Sequence, residues 1–237
     1  MKKLTEFQNW IFDLDNTLYK GDQNFFSQID KKMTEYVARF LSLDPVDARK
    51  LQKQYLADYG TTMSGLMKVH DMEPTEFLYY VHDVDLSLLS PDAELRRQIQ
   101  TLPGRKFIFT NGSQGHAKNV GTHLNLYDLF DGVFGIEDGD YIPKPQSHPY
   151  EVFCKRFNID PTQAIMFEDG VKNLKVPKDM GMKTVLVTSD TDWFYDSKHL
   201  RPDPNAPWID HKTDDLTAWL STHTWPKNIG CLSVPYA

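Results

Sequence analysis

The chain has 237 residues, with 26 Lys and Arg against 33 Asp and Glu, which gives a formal net charge of −7. Hydrophobic residues make up 40% and charged residues 25%, the composition of an ordinary globular protein. The acidic balance argues against a protein that binds duplex nucleic acid, because such a protein needs a basic footprint. It still allows a small anionic substrate, because a few local cations can hold a phosphate.

The chain also lacks the marks of secreted and membrane proteins. Two cysteines, Cys154 and Cys231, do not make a disulfide framework, so we expect a cytoplasmic location. The apolar run behind Lys2 and Lys3 ends at Asp13 and is too short for a signal peptide. No stretch approaches the ~18 apolar residues of a membrane span, and we expect no membrane partner. Eight histidines lie scattered without a zinc-binding spacing, and none of them is assigned to a site.

Short, almost wholly apolar runs predict strands that are buried on both faces, as in a parallel sheet. The first covers residues 10–15 and ends in Asp13-Leu14-Asp15. Similar runs predict strands at residues 105–110, 164–168 and 183–187, and residues 132–134 predict a short edge strand.

Between the first two strands the pattern changes to that of helices. Residues 25–41 carry apolar side chains at helical spacing. Prolines typical of first helical turns predict three later helix starts, at Pro45 behind the N-cap Asp44, at Pro74 and at Ser90-Pro91.

This helical insert divides the chain into two predicted domains. Residues 21–100 form a helical cap, and residues 1–20 with 101–237 form an α/β core. Helices alternate with strands in that core, which predicts right-handed βαβ units and a parallel sheet. The C-terminal tail has little periodicity and is predicted to be packed irregular chain.

Asp13 and Asp15 follow the first predicted strand, at the edge where open α/β sheets place their ligands. Alternate residues of a strand project to the same side, so the two carboxylates can converge. Two nearby anions need a cation or a shared proton, which indicates a divalent metal or an acid/base pair. The alternative is a solvated acidic turn.

Three further motifs follow the same logic. Thr110 and Asn111 end the second strand and offer neutral donors to an anion, although an ordinary helix cap explains them equally well. Lys144 lies between two prolines, which restrict its ammonium group, and a surface turn is the alternative. Glu168 and Asp169 end another strand and are oxygen ligands of the kind that hard cations prefer. Together these side chains match phosphoryl transfer, which depends on positioning and on neutralising charge.

The order D-L-D-N-T, F-T-N, K-P and F-E-D followed by Asn173 resembles the haloacid dehalogenase-like (HAD) hydrolase superfamily along nearly the whole chain. The forms D-L-D-N-T-L-Y and F-E-D-G-V-K-N-L resemble its pyrimidine 5′-nucleotidase branch. The resemblance implies a Rossmann-like, three-layer α/β core with a parallel sheet and an inserted all-helical cap of the C1 type.

The resemblance also implies a role for each motif residue. Asp13 is the nucleophile that forms an aspartyl-phosphate, and Asp15 is the general acid and then the general base. Mg²⁺ is bound by Asp13, by the backbone carbonyl of Asp15 and by Asp169. Phosphate is bound by Thr110, the Asn111 amide and Lys144. Glu168 supports the site through a water or from behind the metal ligands, and Asn173 also lies behind them.

Two positions depart from the family pattern. Many relatives carry Asp where this chain has Asn173, so we expect it to orient Lys144 more weakly. Gly170 replaces a common Ser and loses one hydroxyl. Asp15 distinguishes phosphoester hydrolysis from carbon–halogen cleavage, because dehalogenases of the superfamily lack a carboxylate at this position. Its presence therefore favours hydrolysis of a phosphoester.

In the cap, Tyr59, Gly60, Thr61 and Thr62 interrupt two predicted helices. The favoured interpretation is a pair of helix caps, with Gly60 ending one helix and Thr61 or Thr62 starting the next. The alternative is a specificity loop that closes over the substrate and excludes water. Tyr19 follows the Asp13 loop and is expected to line the same space.

The sequence thus predicts a Mg²⁺-dependent phosphomonoesterase whose partner is a small phosphorylated metabolite. A pyrimidine nucleoside 5′-monophosphate is the first candidate substrate. The alternatives are another small phosphate such as a phosphosugar, and a non-catalytic protein that only binds a phosphorylated ligand. The base preference and the oligomeric state are left open.

Overall fold

The computed structural model describes residues 6–20, 23–188 and 203–223. Within those ranges, six parallel strands form one sheet. They are β1 (Asn9–Phe12), β2 (Arg105–Phe109), β3 (Gly132–Phe134), β4 (Ala164–Glu168), β5 (Lys183–Val187) and β6 (His211–Thr213). The spatial order β3-β2-β1-β4-β5-β6 places β1 at the centre, so the parallel α/β core and the edge position of β3 are confirmed.

The sheet carries helices on both faces. The helices are α1 (Gln23–Leu41), α2 (Pro45–Tyr59), α3 (Thr62–His70), α4 (Pro74–Val81), α5 (Ala93–Thr101), α6 (Gln114–His123), α7 (Ser147–Phe157), α8 (Lys175–Asp179) and α9 (Leu216–His223). Among the residues described, no helix has the length and apolar character that crossing a bilayer would require.

Alternation along β1 sends neighbouring side chains into two separate apolar layers. Trp10 and Phe12 pack in a cluster that also contains buried residues of α5, α6 and α9. Ile11 points to the opposite face, where Tyr150 and Phe153 of α7 cover the sheet. The result is the three-layer arrangement that the sequence predicts.

A third apolar cluster joins α2, α3 and α4 with the second half of α1, and it also includes buried Ile136, which follows β3. The start of α2 follows from its sequence. Asp44 accepts hydrogen bonds from the backbone N–H groups of Val46 and Asp47, and Pro45 occupies the first turn. The segment between β1 and β2 is therefore helical, as predicted, while its assignment to a separate cap domain at residues 21–100 remains a prediction.

Two local predictions need correction. The helix expected from Ser90-Pro91 begins at Ala93, because the side chain of Asp92 accepts from two backbone N–H groups and is the N-cap. Its buried Leu95 and Ile99 pack in the cluster of Trp10 and Phe12. The tail expected to be irregular contains β6 and α9, because a short strand pairs with β5 and Leu216, Trp219 and Leu220 are buried beneath the sheet. Residues 224–237 of that tail lie outside the described residues.

Candidate active site

The central strands bring the predicted site residues to one edge of the sheet. β1 lies between β2 and β4, and all three run in the same direction. Asp13 follows β1, Thr110 follows β2 and Glu168 is the last residue of β4. Because the carboxyl ends of parallel strands meet at one edge, these side chains share the place where ligands bind in such sheets.

Lys144 is the centre of a buried charge cluster at this edge. Its Nζ donates to Asp13 Oδ1 at 2.8 Å, to Glu168 Oε2 at 2.6 Å and to the backbone carbonyl of Phe109 at 2.8 Å. The Lys144 side chain is only 1% exposed. All three donor hydrogens of the ammonium group are therefore satisfied, two of them by carboxylates, which is what a buried cation requires.

The backbone around Lys144 is held by Asn111. The Asn111 Oδ1 atom accepts from the Lys144 backbone N–H at 2.8 Å, and Asn111 Nδ2 donates to the Lys144 carbonyl at 3.1 Å. This two-way pairing joins the loop after β2 to the loop that carries the lysine. The Asn111 side chain, predicted as a phosphate donor, is thus already engaged in positioning Lys144.

The cluster shifts the pKa values of its members. Burial, followed by the charge of Glu168, raises the pKa of Asp13 to about 7, although Lys144 opposes the shift. Burial would lower the pKa of Lys144, but its two carboxylate partners raise it, so the amine stays protonated. Burial and the neighbouring carboxylates raise the pKa of Asp169 well above its ordinary value. The edge therefore holds more negative charge than Lys144 alone neutralises.

This excess charge fits a divalent cation. Asp13, Glu168 and Asp169 each offer an oxygen, and these atoms lie within 4.8 Å of one another. Glu168 is already engaged, because Lys144 takes one of its oxygens and the Gly170 N–H and Asn173 Nδ2 take the other. Asp13 and Asp169 are then the freer carboxylates, and an all-oxygen set of this kind suits Mg²⁺.

An unsatisfied polar atom lies beside the same carboxylates. Asn16 Nδ2 donates to Asp169 Oδ2 at 3.3 Å, while the buried Asn16 Oδ1 finds no partner in the described part of the chain. A buried amide oxygen without a donor is costly, and a hydrated cation would supply one. The residues present therefore fit Mg²⁺, although the assignment of individual ligands remains a prediction.

Asp15 has a different environment from Asp13. Its Oδ1 accepts from Tyr19 Oη at 2.6 Å and from His116 Nε2 at 2.8 Å. Burial would raise the pKa of Asp15, but His116 and Tyr19 lower it to about 2, so the carboxylate is ionised in this state. Tyr19, expected to line the substrate space, instead binds the carboxylate of Asp15.

Asn173 and Thr110 also have partners that the sequence did not show. Asn173 Nδ2 donates to Glu168 Oε1 at 3.1 Å, and Glu168 in turn binds Lys144, so the contact of Asn173 with Lys144 is indirect and its weaker orienting role remains a prediction. Thr110 Oγ1 accepts from the Gly112 N–H at 2.9 Å. Among the residues that the structure describes, no acceptor takes its hydroxyl hydrogen, and the phosphate-binding role of Thr110 remains a prediction.

In the cap, the helix-cap interpretation is confirmed for Gly60 and Thr61. Gly60 ends α2 with φ +83°, and the Thr61 side chain accepts from the Ser64 N–H at the start of α3. Thr62 is buried and donates to the Gln52 carbonyl. Tyr59 differs from these residues, because it borders a cleft of about 390 Å³ that also touches Lys68, Pro143 and Pro145.

That cleft lies between the cap and the loop that contains Lys144. A substrate contact by Tyr59 remains a prediction. Thr61 and Thr62 already use their side chains in hydrogen bonds within the cap segment.

Two histidines beside Asp15 were missed by the sequence analysis. His116 donates to Asp15, and the ring of His82 stacks on the ring of His116 with centroids 4.3 Å apart. One signal was available for His116, which lies in the first turn of the helix that follows β2 and therefore near the ligand-binding edge. No local signal marks His82, which follows α4 in the cap segment.

Comparison with known proteins agrees with this geometry. A family model described as haloacid dehalogenase-like hydrolase matches residues 10–181. Phosphate metabolism protein 8 of Saccharomyces cerevisiae is 27% identical over 210 residues, which cover 81% of this chain and 64% of that protein. The chain therefore spans slightly less than two thirds of the length of this relative.

Two further proteins are similar over most of the chain. Validoxylamine A 7′-phosphate phosphatase of Streptomyces hygroscopicus subsp. limoneus is 29% identical over 194 residues, which cover 77% of this chain and 86% of that protein. The HAD-hydrolase YfnB of Bacillus subtilis, solved bound to magnesium, superimposes with a TM-score of 0.60 at 14% identity, covering 94% of this chain and all of that one. At 14% identity, the similarity to YfnB shows a shared fold alone.

Proposed function

The chain belongs to the haloacid dehalogenase-like hydrolases, and we propose that it is a phosphatase that hydrolyses phosphomonoesters through an aspartyl-phosphate on Asp13. The observation that carries this proposal is the buried contact of 2.8 Å between Lys144 Nζ and Asp13 Oδ1. A lysine held by two carboxylates at a ligand-binding edge is suited to neutralise a transferring phosphoryl group.

In the first step, a carboxylate oxygen of Asp13 attacks phosphorus and the bond from phosphorus to the ester oxygen breaks. The positive charge of Lys144, 2.8 Å from Asp13 Oδ1, offsets the negative charge of the nucleophile and of the phosphoryl group that it attacks. The departing alkoxide takes a proton from Asp15. Asp15 is ionised in the free site, but the negative charge of an arriving phosphate raises its pKa and favours the protonated form.

In the second step, Asp15 is the base. It removes a proton from a water molecule, whose oxygen attacks the phosphorus of the aspartyl-phosphate. The bond between phosphorus and the Asp13 oxygen breaks, which releases inorganic phosphate and restores the carboxylate. The Asp15 carboxyl ends the step protonated, ready to serve the next leaving group.

We propose Mg²⁺ as the cofactor, held by Asp13, Asp169 and the Asp15 carbonyl. When bound, this cation neutralises the clustered carboxylates and the phosphate charge. Because the pKa of Asp13 is about 7 in the metal-free site, a cation there favours the ionised nucleophile. Glu168 supports the arrangement through Lys144.

We propose a pyrimidine nucleoside 5′-monophosphate as the substrate. Support comes from the branch-type forms of the motifs at residues 13–19 and 167–174. A phosphosugar is the second candidate within the same chemistry.

The decisive experiment is a phosphate-release assay on the full chain with Mg²⁺, using UMP, CMP, purine nucleotides and sugar phosphates. We expect the highest kcat/KM with UMP or CMP, and no release once EDTA has removed the metal. If UMP is no better than generic esters, the nucleotide assignment is wrong although the phosphatase assignment stands.

The matched variant is Asp13→Asn, which preserves shape and removes the nucleophile. We expect a loss of at least about 10³-fold in kcat. Full activity in this variant would exclude the covalent mechanism. Tight binding of UMP by a wild-type chain without turnover would instead support the non-catalytic binder.

A further inference from the structure

A stacked pair of histidines lies next to Asp15 and has no part in the two chemical steps above. His116 belongs to α6 of the core, and its side chain is 1% exposed. His82 ends α4 in the cap segment. Their rings are nearly parallel, at 19°, with centroids 4.3 Å apart, so the pair forms a direct contact between the cap segment and the core.

The hydrogen bonds of Asp15 are arranged unevenly between its two oxygens. Among the described residues, both donors to this side chain, His116 Nε2–H and Tyr19 Oη–H, bind Oδ1. Oδ2 is left as the oxygen that carries a proton for the leaving group.

The histidine pair is itself held by Ser113, the N-cap of α6. Ser113 Oγ accepts from the His116 backbone N–H at 3.1 Å and pairs with His82 Nδ1 at 3.0 Å. In this pair the Ser113 hydroxyl donates to Nδ1 or accepts from Nδ1–H, depending on the tautomer of a neutral His82 ring. The buried environment, which lowers the pKa of His82 to about 3, agrees with a neutral ring.

His116 cannot itself transfer a proton to the substrate. Its Nε2 is engaged with Asp15, and its ring is enclosed between His82 and the core. Its contribution must therefore pass through the Asp15 carboxylate.

We propose that His116 is a positioning residue that fixes Asp15 with Oδ2 directed to the leaving oxygen, and that His82 links this arrangement to the cap. The inference rests on the proposed function, since it assigns Asp15 the role of general acid. A carboxyl group that is free to rotate donates its proton less effectively, because general acid catalysis requires the donor within hydrogen-bond reach.

The test compares two esters of similar shape, phenyl phosphate and p-nitrophenyl phosphate, on the full chain with Mg²⁺. Phenoxide is the more basic leaving group and depends on a proton from Asp15, whereas p-nitrophenoxide departs readily without one. The measured quantity is kcat/KM, because it reports the steps up to cleavage of the ester and not the later hydrolysis of the aspartyl-phosphate.

The main variant is His116→Phe, which keeps an aromatic ring against His82 and removes the donor. We expect kcat/KM for phenyl phosphate to fall about 10²-fold and that for p-nitrophenyl phosphate to fall less than about tenfold. His116→Gln, which places an amide donor near the position of Nε2, should recover most of the loss. His82→Ala should show the same selectivity with a loss of about tenfold.

The control is His123→Phe in the same helix. His123 bonds to the backbone carbonyl of Leu89 and does not contact Asp15, so the ratio of the two esters should stay at its wild-type value. Circular dichroism establishes that each variant is folded. If His116→Phe does not fold, His116→Asn takes its place, because its amide is too short to reach the Nε2 position.

Equal losses for the two esters in the His116 variants, or no loss, would overturn the positioning role. Wild-type selectivity in His82→Ala would overturn the link to the cap alone. A wild-type chain that releases phosphate from neither ester would overturn the proposed function, and this inference with it.

Discussion

Two ion clusters of similar geometry lie in different parts of the molecule. In the core, Lys144 is placed between Asp13 and Glu168, at 2.8 and 2.6 Å. In the cap, Asp30 is placed between Arg49 and Lys53, at 2.7 and 2.9 Å. Lys144 is 1% exposed, whereas Lys53 is 26% and Arg49 51% exposed.

The difference in exposure decides what each cluster does. Water and salt screen the Asp30 cluster, so its ion pairs contribute little free energy. The Lys144 cluster is removed from water, so each charge there depends on the others. Distances alone would rank the clusters as equals, and only burial separates a structural surface contact from a candidate catalytic centre.

Lys144→Met should have the largest effect. It leaves Asp13 and Glu168 buried without their cation, and we expect about 3–5 kcal/mol less stability and at least about 10²-fold lower kcat. Urea unfolding and phosphate release measure the two losses. A Lys144→Met variant as stable and active as wild type would show that the buried cluster contributes no more than the exposed Asp30 cluster.

Gly65→Ala tests whether packing rather than charge holds the cap together. A Cβ at Gly65 would overlap the Tyr55 side chain, so the α2–α3 contact must shift, at a cost of about 1–3 kcal/mol in the free energy of unfolding. Gly115→Ala in α6 is the matched control, because its Cβ would meet only Ser113 Oγ, at 3.8 Å. An equal decrease of the thermal unfolding midpoint in the two variants would contradict the packing argument.

Asp210 offers an intermediate case whose effect depends on pH. Burial would raise the pKa of Asp210, but hydrogen bonds from Lys178 and Lys183 lower it to about 2. A carboxyl group with a depressed pKa stabilises the fold above its unfolded pKa, near 4, and loses that contribution as the pH falls toward 2.

Asp210→Asn should therefore lower the free energy of unfolding by about 1 kcal/mol at pH 6 and by progressively less below pH 4. Urea unfolding at pH 6, 4 and 3 measures the difference. A difference that grows toward low pH would show the opposite sign and contradict the assignment.

Lys53→Met should have the smallest effect, about 0.2–1 kcal/mol, because the pair with Asp30 is partly exposed. We expect the difference from wild type to shrink further in concentrated salt, which screens the pair. A loss as large as that of Lys144→Met would show that burial does not separate the clusters.

The buried strands were the most predictable part of the fold. β4 and β5 match the predicted residues 164–168 and 183–187, because a strand covered on both faces is a continuous apolar run. β6 escaped prediction, since His211–Thr213 is a short polar segment at the edge of the sheet and its pairing with β5 sets its conformation.

The candidate site also contains residues that the sequence predicts and contacts that it does not. Asp13, Asp15, Thr110 and Glu168 were visible because they lie at or within three residues of the ends of strands that the sequence reveals. The pairing of Asn111 with the Lys144 backbone joins residues far apart in the chain, and so does the stacking of His82 on His116. Contacts of this kind depend on how helices and loops pack, which no local pattern records.

The edges of the sheet have a consequence for the behaviour of concentrated protein. Within the residues described, the outermost strands are β3 and β6, each three residues long. Unpaired edge strands are templates on which copies of a chain can extend one another's sheets, and very short ones offer few backbone groups for such pairing. The longer, strongly apolar strands β1 and β4 lie inside the sheet, so the segments most able to aggregate are exposed only when the fold opens.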